Sequence, residues 1–397
     1  MHKIIILLVG LIFTATITQA QNINESIKKA NNLIEDKKYN SAYAELDKAD
    51  PNNKNMEVIL LKENILLNYF VTSIAHQMFA LTDIDKNEDI LAYRGTDGNF
   101  DLKMLDIPKL LDSLVKVYPD ECRLYKGLGD YYIEVQMKYP GNWLKSDKEL
   151  FTLAEANFTK AIAGNCADYE SYHAMGYLNI ANNKFKEAIP YFLKSIELKP
   201  DYASAHYNLA YAYLYNNEQA KALDYAKNAI PLYNDVSYKA DAARMVAQIY
   251  TELSDDSSAL FYYHLSDSID DKYYYTLLGM LESSLRLKSK TSHSYTVNLF
   301  ELDPRNPTIY GAINDAYINY GALNELLNFY DEQLIKYANE DTIAGSIYFY
   351  LGIIYLDLDK TIAKADFLKA KELLLKVFDK NHQVFTAIEQ GLKMAEQ

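Results

Sequence analysis

Residues 169–202 read YESYHAMGYLNIANNKFKEAIPYFLKSIELKPDY, and residues 203–236 read ASAHYNLAYAYLYNNEQAKALDYAKNAIPLYNDV. Laid over one another at an offset of 34, the two segments carry related residues at matching positions. Tyr172 and His206 stand at position 4, Met175 and Leu209 at 7, Gly176 and Ala210 at 8, Asn183 and Asn217 at 15, and Ala188 and Ala222 at 20. Phe192 and Ser195 in the first segment correspond to Ala226 and Ala229 in the second, and Pro200 closes the first. Self-similarity at such a period marks an array of stacked units rather than one large core. The residue choice has a physical reading. Small side chains at positions 8 and 20 let two antiparallel helices approach, Asn tolerates the positive φ of a tight turn, and Pro200 ends a helix because it lacks an amide proton.

This pattern resembles the tetratricopeptide repeat, a helical hairpin whose free face is buried by the next hairpin. The same frame runs through 307–340, with Tyr310, Ile313, Tyr317, Gly321, Leu326 and Tyr330 in register. It is weaker over 240–271, 273–306 and 345–380, and a shortened copy lies near the start, through Ala30, Leu33, Tyr39, Ala42, Leu46, Ala49 and Pro51. The resemblance implies an all-α fold: a right-handed superhelical solenoid of about eight to nine antiparallel hairpins, closed by a capping helix near 382–395.

Two stretches interrupt the period. Residues 56–119 read as a long apolar helix from Met56 to Leu81, a polar stretch from Thr82 to Asp101, and a helix before Tyr118-Pro119. In the repeat that starts at Cys122, Ala161 arrives 13 residues after its place in an unbroken count, residue 148. That insertion, over 137–149, carries Tyr139-Pro140-Gly141-Asn142-Trp143 with the only tryptophan of the chain. Insertions in repeat arrays map to loops, where function is often added; a Trp that only covers a neighbouring helix is the plain alternative. The expected organisation is therefore a leader over 1–20, an irregular helical region over 21–119 and a regular array over 120–397.

The leader reading rests on a charged start at His2-Lys3, an apolar run from Ile4 to Ile17, and small residues at Thr18 and Ala20. That run is too short to span a bilayer, which needs about 20 helical residues. A secretory signal peptide cleaved after Ala20 follows, with a periplasmic or secreted protein and no later membrane span; a retained N-terminal anchor is the alternative. With 40 Lys and Arg against 54 Asp and Glu, the formal charge is −14, and no basic cluster stands out, so nucleic acid is not an expected partner.

The repeat frame places Cys122 at the start of one helix and Cys166 just past the end of its antiparallel mate, so the two can form a disulfide in an oxidising compartment. Two buried free thiols remain the other reading. Asp83-x-Asp85-x-Asn87-x-Asp89 opens like a calcium loop, but Glu88 stands where Gly is needed and Arg94 where a bidentate Glu is needed, which favours a solvated acidic linker and no metal. The catalytic strings His-Glu-x-x-His, Gly-x-Ser-x-Gly and Cys-x-x-Cys do not occur, and the histidines are scattered. No cofactor and no catalytic role are expected.

In tetratricopeptide proteins the first helix of each hairpin lines the inner surface through positions 2, 5, 9, 12 and 13. The resemblance thus implies Arg123, Lys126 and Asp130 in one repeat, His173 and Tyr177 in the next, Tyr207, Tyr211 and Tyr215 in the third, and Asp241 and Arg244 in the fourth. Tyr177, Tyr207, Tyr211 and Tyr215, with Arg123, Lys126, Arg244 and the Trp143 loop, form the expected partner-binding set, Tyr and Arg being enriched at interface hot spots. The same tyrosines packing between repeats is the alternative. Chaperone-binding members of the family grip a C-terminal carboxylate with Lys and Asn at positions 5 and 9; here Lys126 is followed by Asp130, whose charge would repel that ligand. The expected function is a non-catalytic scaffold or adaptor of the cell envelope that holds a protein or peptide. Glycan binding through Tyr and Trp is the first alternative, and an enzyme site within 56–119 the second.

Overall fold

A computed structural model describes residues 21–75, 77–98 and 100–397; the expected signal peptide and its cleavage point lie outside them. The first described element, α1, is helical over 21–35. It is followed by α2 (Tyr39–Ala49), α3 (Met56–Asn68), α4 (Ile107–Val117), α5 (Cys122–Lys138), α6 (Asp147–Ala163), α7 (Tyr169–Ala181) and α8 (Phe185–Leu198). Then come α9 (Ala203–Tyr215), α10 (Gln219–Leu232), α11 (Val236–Glu252), α12 (Asp256–Ile269), α13 (Tyr274–Arg286) and α14 (Ser292–Phe300). The last are α15 (Pro307–Asn319), α16 (Leu323–Lys336), α17 (Asp341–Tyr355), α18 (Lys360–Leu374) and α19 (Gln383–Glu396). The chain divides into two compact units, one ending at Pro200 and the other running Asp201–Gln397.

The expected helical-hairpin fold is present. Among the described residues, α1 to α18 form nine consecutive helix pairs, and α19 packs on α18 as a cap, burying Phe385 and Ile388 beside Phe367. Three hairpins close on the same kind of contact. Gly129 of α5 meets the ring of Phe158 on α6, Gly176 of α7 meets Phe192 on α8, and Gly352 of α17 meets Phe367 on α18. A Cβ built on Gly176 would stand 2.5 Å from the Phe192 ring, so only glycine admits the aromatic residue at this separation. The hairpin turns share a second device. Lys37, Asn183, Asn217, Ser254, Lys288 and Gly321 all have positive φ, and the next amide donates back to the carbonyl five residues earlier, as in Lys184 to Asn179 and Glu218 to Tyr213. This satisfies helix-end carbonyls that would otherwise be orphaned.

The irregular region departs from its expected form. The helix read over Met56–Leu81 stops at Asn68, and the remainder forms two strands of a three-stranded antiparallel sheet, β1 (Thr72–Ala75), β2 (Met78–Leu81) and β3 (Asp101–Met104), in that order. The reason lies in Arg94. Its guanidinium donates to the carbonyls of Asn68 (3.1 Å) and Phe70 (3.3 Å) at the C-terminal end of α3, and it stacks 4.5 Å over the Phe70 ring. Cationic donors at a helix C-terminus satisfy its last carbonyls and complement its dipole. β1 then pairs with β2 and buries Phe79 and Leu81. The sheet is an insertion between α3 and α4, the two helices of one hairpin.

The polar stretch is ordered locally. Asp83 accepts from the amide and hydroxyl of Ser41, Asp85 pairs with Lys38 at 3.6 Å, and Glu88 accepts from the Tyr93 hydroxyl at 2.6 Å. A short 3-10 turn at Ile90–Tyr93 follows.

The insertion around Trp143 is shared out. α5 has 17 residues against 13 in α7, α6 has 17 against 14 in α8, and the rest forms the connection between α5 and α6. Ser146 starts α6 with a reciprocal cap to Glu149. Cys122 and Cys166 have Cα atoms 5.7 Å apart with their sulfurs at bonding distance, joining the start of α5 to the connection that follows α6.

Two outcomes follow. Gly176→Ala should lower stability by about 1–2 kcal/mol, because overpacking exceeds the gain in helix propensity, whereas Gly311→Ala in α15, where an added Cβ meets nothing within 4 Å, should raise it by up to ~1 kcal/mol. Urea unfolding of both variants reads the sign. Replacing Cys122 and Cys166 with Ser opens a loop of 44 residues and should cost about 2–4 kcal/mol in oxidised protein; an unchanged melting temperature would show the bond to be absent in solution.

Candidate binding site

α3 has the sequence MEVILLKENILLN, and its nearly continuous apolar surface places it centrally in the first unit. Two charged residues interrupt that run, and they meet different fates. Lys62 is fully buried, with Nζ donating to Asp47 at 2.9 Å, Asn53 at 2.7 Å and the Asp50 carbonyl at 3.3 Å. Glu63 is 5% exposed, and its buried Oε1 has no hydrogen-bond partner. Buried polar atoms are almost always paired, so an orphan carboxylate oxygen needs a reason. Gly127 of α5 faces this carboxyl, its missing Cβ leaving room for Glu63 Oε1 and the Leu111 side chain.

Glu63 lines a cleft of about 330 Å³ formed by α1, α3 and α5, the first helices of three successive hairpins. α1 contributes Ile27 and Asn31; α3 contributes Glu57, Leu60, Leu61 and Asn64 besides Glu63. α5 contributes Arg123, Lys126, Gly127 and Asp130. Arg123 and Lys126, expected as a basic edge, do line this surface, but neither offers a free charge. Arg123 bonds Glu57 at 2.9 Å and Glu121 at 2.8 Å, while Lys126 bonds Asp130 at 2.7 Å and Asp168 at 3.0 Å. Each cation is held by two carboxylates, and Glu63 is left over.

The protonation equilibria follow from this packing. Burial, reinforced by Asp130, raises Glu63 well above the ordinary carboxyl range. Burial likewise raises Asp130 to about 6, against the opposing pull of Lys126. Asp130 keeps 28% of its side-chain surface exposed but lines the cleft between three helices, where a carboxylate is poorly hydrated. Asp168 goes the other way: burial would raise it, but Lys126 and the amide and hydroxyl of Ser171 hold it below its usual value.

The remaining expected residues are placed as follows. Tyr177 packs edge-on to Phe151, with centroids 6.2 Å apart, and Trp143 stacks on Tyr139 at 4.9 Å. In the second unit the Tyr207 hydroxyl donates to Asp241 at 2.6 Å across the neighbouring first helices α9 and α11. Arg244 pairs with Asp241 and lies 4.3 Å over the Tyr273 ring. Tyr207 and Arg244 therefore join one repeat to the next. Tyr211 and Tyr215 have centroids 4.5 Å apart, and Tyr215 is 54% exposed. Sequence reading missed Glu63, Glu57 and the α1 residues; the available signal was Lys62-Glu63-Asn64 set in an otherwise apolar helix.

Among the described residues, one group of His, Cys, Asp or Glu has ligand atoms close enough to share a metal: Glu121, Cys122 and Cys166. Its sulfurs are bonded to each other and Glu121 is engaged by Arg123, so the donor set is already spent.

A folded-state pKa above the unfolded value means that Asp130 loses stability for the fold as pH rises from the ordinary carboxylate range through about 6. Asp130→Asn should flatten that part of the stability profile, with Lys126 retaining Asp168. Urea midpoints at pH 4.5 and 7 for the two proteins test it: an unchanged difference between these pH values would refute the raised pKa.

The family model of the TPR repeat matches residues 176–217. No curated protein matches the sequence. Among solved structures, a tetratricopeptide repeat protein from Parabacteroides merdae is 20% identical, covering 67% of this chain and 99% of that one with a TM-score of 0.41. A crystal structure of MamA protein is 20% identical over 45% of this chain and 90% of that one, with a TM-score of 0.39. YrrB, described as a TPR protein with an unusual peptide-binding site, is 19% identical over 45% of this chain and 90% of its own, with a TM-score of 0.36. The matched repeat falls on α7 to α9, where the glycine-to-ring contact and the left-handed turns at Asn183 and Asn217 also lie, so the chain carries a tetratricopeptide repeat there.

Proposed function

We propose that this protein is a non-catalytic scaffold of the cell envelope, which holds a protein or peptide on the first helices of its hairpins. The observation that carries the reading is the cleft between α1, α3 and α5, where a repeat surface opens beside a buried carboxylate with an unused acceptor. Hairpin arrays present continuous surfaces of this kind to extended partners. The envelope assignment rests on the charged, apolar and small-residue pattern of residues 1–20 and on a cysteine pair placed for bonding, which suits an oxidising compartment. The described helices include none long and apolar enough to cross a membrane.

Crosslinking capture from envelope extract of the native host tests this reading, with N-terminal sequencing of the recovered protein. The expected result is a protein crosslinked through the first helices of the hairpins, on a chain that begins at Gln21. Half-buried Tyr211 and exposed Tyr215 offer a second contact area; their joint replacement by Ala should weaken capture by roughly 2 kcal/mol if they act as hot spots. Recovery of glycans alone would replace the protein partner with a sugar, and a chain still carrying Met1 in membrane would overturn the location.

A further inference from the structure

The cleft around Glu63 carries a more specific assignment, which rests on the protein-binding reading above. We infer that it is a socket for one basic side chain, Lys or Arg, of the bound protein, with the cation seated at Glu63 and Asp130.

Four observations on the molecule converge on a cation. First, Glu63 Oε1 is a buried acceptor with no donor, and a cation brought against this carboxyl supplies the donor and favours its ionised form. Second, the cations already present are committed: Arg123 to Glu57 and Glu121, Lys126 to Asp130 and Asp168. With Glu63 these make five carboxyl groups around two cations, so an added positive charge completes the set and an added anion meets repulsion. Third, Ile27, Leu60 and Leu61 supply apolar wall to the same cleft, which suits the methylene stem of Lys or Arg while the head reaches the acids. Fourth, about 330 Å³ lies near the lower limit of small-molecule pockets and fits one long side chain better than a cofactor.

The geometry also separates this socket from a generic acidic surface. Surface acids are solvated and bind cations weakly. Glu63 is 5% exposed and packs against Gly127 of α5, so a cation that pairs with it is desolvated and its removal is felt strongly. The charge arrangement is opposite to that of a two-carboxylate clamp, which needs a free Lys and an Asn at the positions of Lys126 and Asp130.

Selection of a random dodecapeptide phage library against the immobilised full-length chain, in parallel with Glu63→Gln, tests the assignment. The expected result is a family of wild-type binders with Lys or Arg at one aligned position, a preference that disappears in the variant. For a selected peptide, exchanging that Arg for neutral citrulline should weaken binding at least tenfold to wild type and less than threefold to Glu63→Gln. Circular dichroism confirms the fold of the variant; if Glu63→Gln does not fold, Asp130→Asn takes its place with the same expectation. Binders without a fixed basic residue, or with a basic residue whose contribution survives both substitutions, would overturn the socket and leave the scaffold standing. Failure to select any binder would overturn the peptide-holding reading together with it.

Discussion

Within the strongest hairpins one contact sets the distance on which the rest depends: a glycine in the first helix against a ring in the second. At Gly129 and Phe158, Gly176 and Phe192, and Gly352 and Phe367 the ring occupies the space a Cβ would take. Close approach is possible only because the side chain is missing, and the aromatic residue then fills the gap at core density. Fixing the separation of two helices fixes which residues face the next pair. The α9–α10 hairpin reaches the same end with Ala210 and Ala226, both fully buried, where two small residues stand in for the pair of extremes.

Between hairpins the same period reappears as a set of polar ties. Tyr207 reaches Asp241, and Arg286 reaches Tyr320, each across 34 residues; Arg305 reaches Glu340 and Lys336 reaches Glu301, each across 35. Exposed pairs of this kind contribute little individually. Their recurrence shows that a stacked register brings equivalent positions of neighbouring repeats together. Many of the 36 tyrosines serve this geometry, combining a large apolar ring with one hydroxyl that finds a partner at the edge, as Tyr310 does with the Pro304 carbonyl and Tyr330 with Asn314.

The first unit departs from this economy where the sheet enters between α3 and α4. That insertion leaves the order of the first helices intact: α3 still lies against α5, and α5 against α7. A cleft can therefore persist on that side while the second helix of the hairpin is displaced along the chain by the sheet. The polar inventory of α3 records the outcome. Lys62 is enclosed by three acceptors, and its neighbour Glu63, turned toward the cleft, has an acceptor with no donor. Two adjacent charges on one helix thus end in opposite states of satisfaction because they face different neighbours.

What the amino-acid sequence determined by itself was everything that depends on local periodicity. The 34-residue spacing, the small residues at the helix crossing, the asparagine turns and the closing helix are each set by contacts within one or two repeats, so residue type and position suffice to read them. The end of α3 at Asn68 was not legible, because the carbonyls there are satisfied by Arg94, 26 residues away. Nor was the commitment of Arg123 and Lys126 to ion pairs, since Glu57 and Asp168 come from other helices. Only the tertiary structure decided the sign of the cleft. Charge at a site is a balance over every group that packs around it, and Glu63 enters that balance through the contact of α3 with α5, which no spacing within either helix encodes.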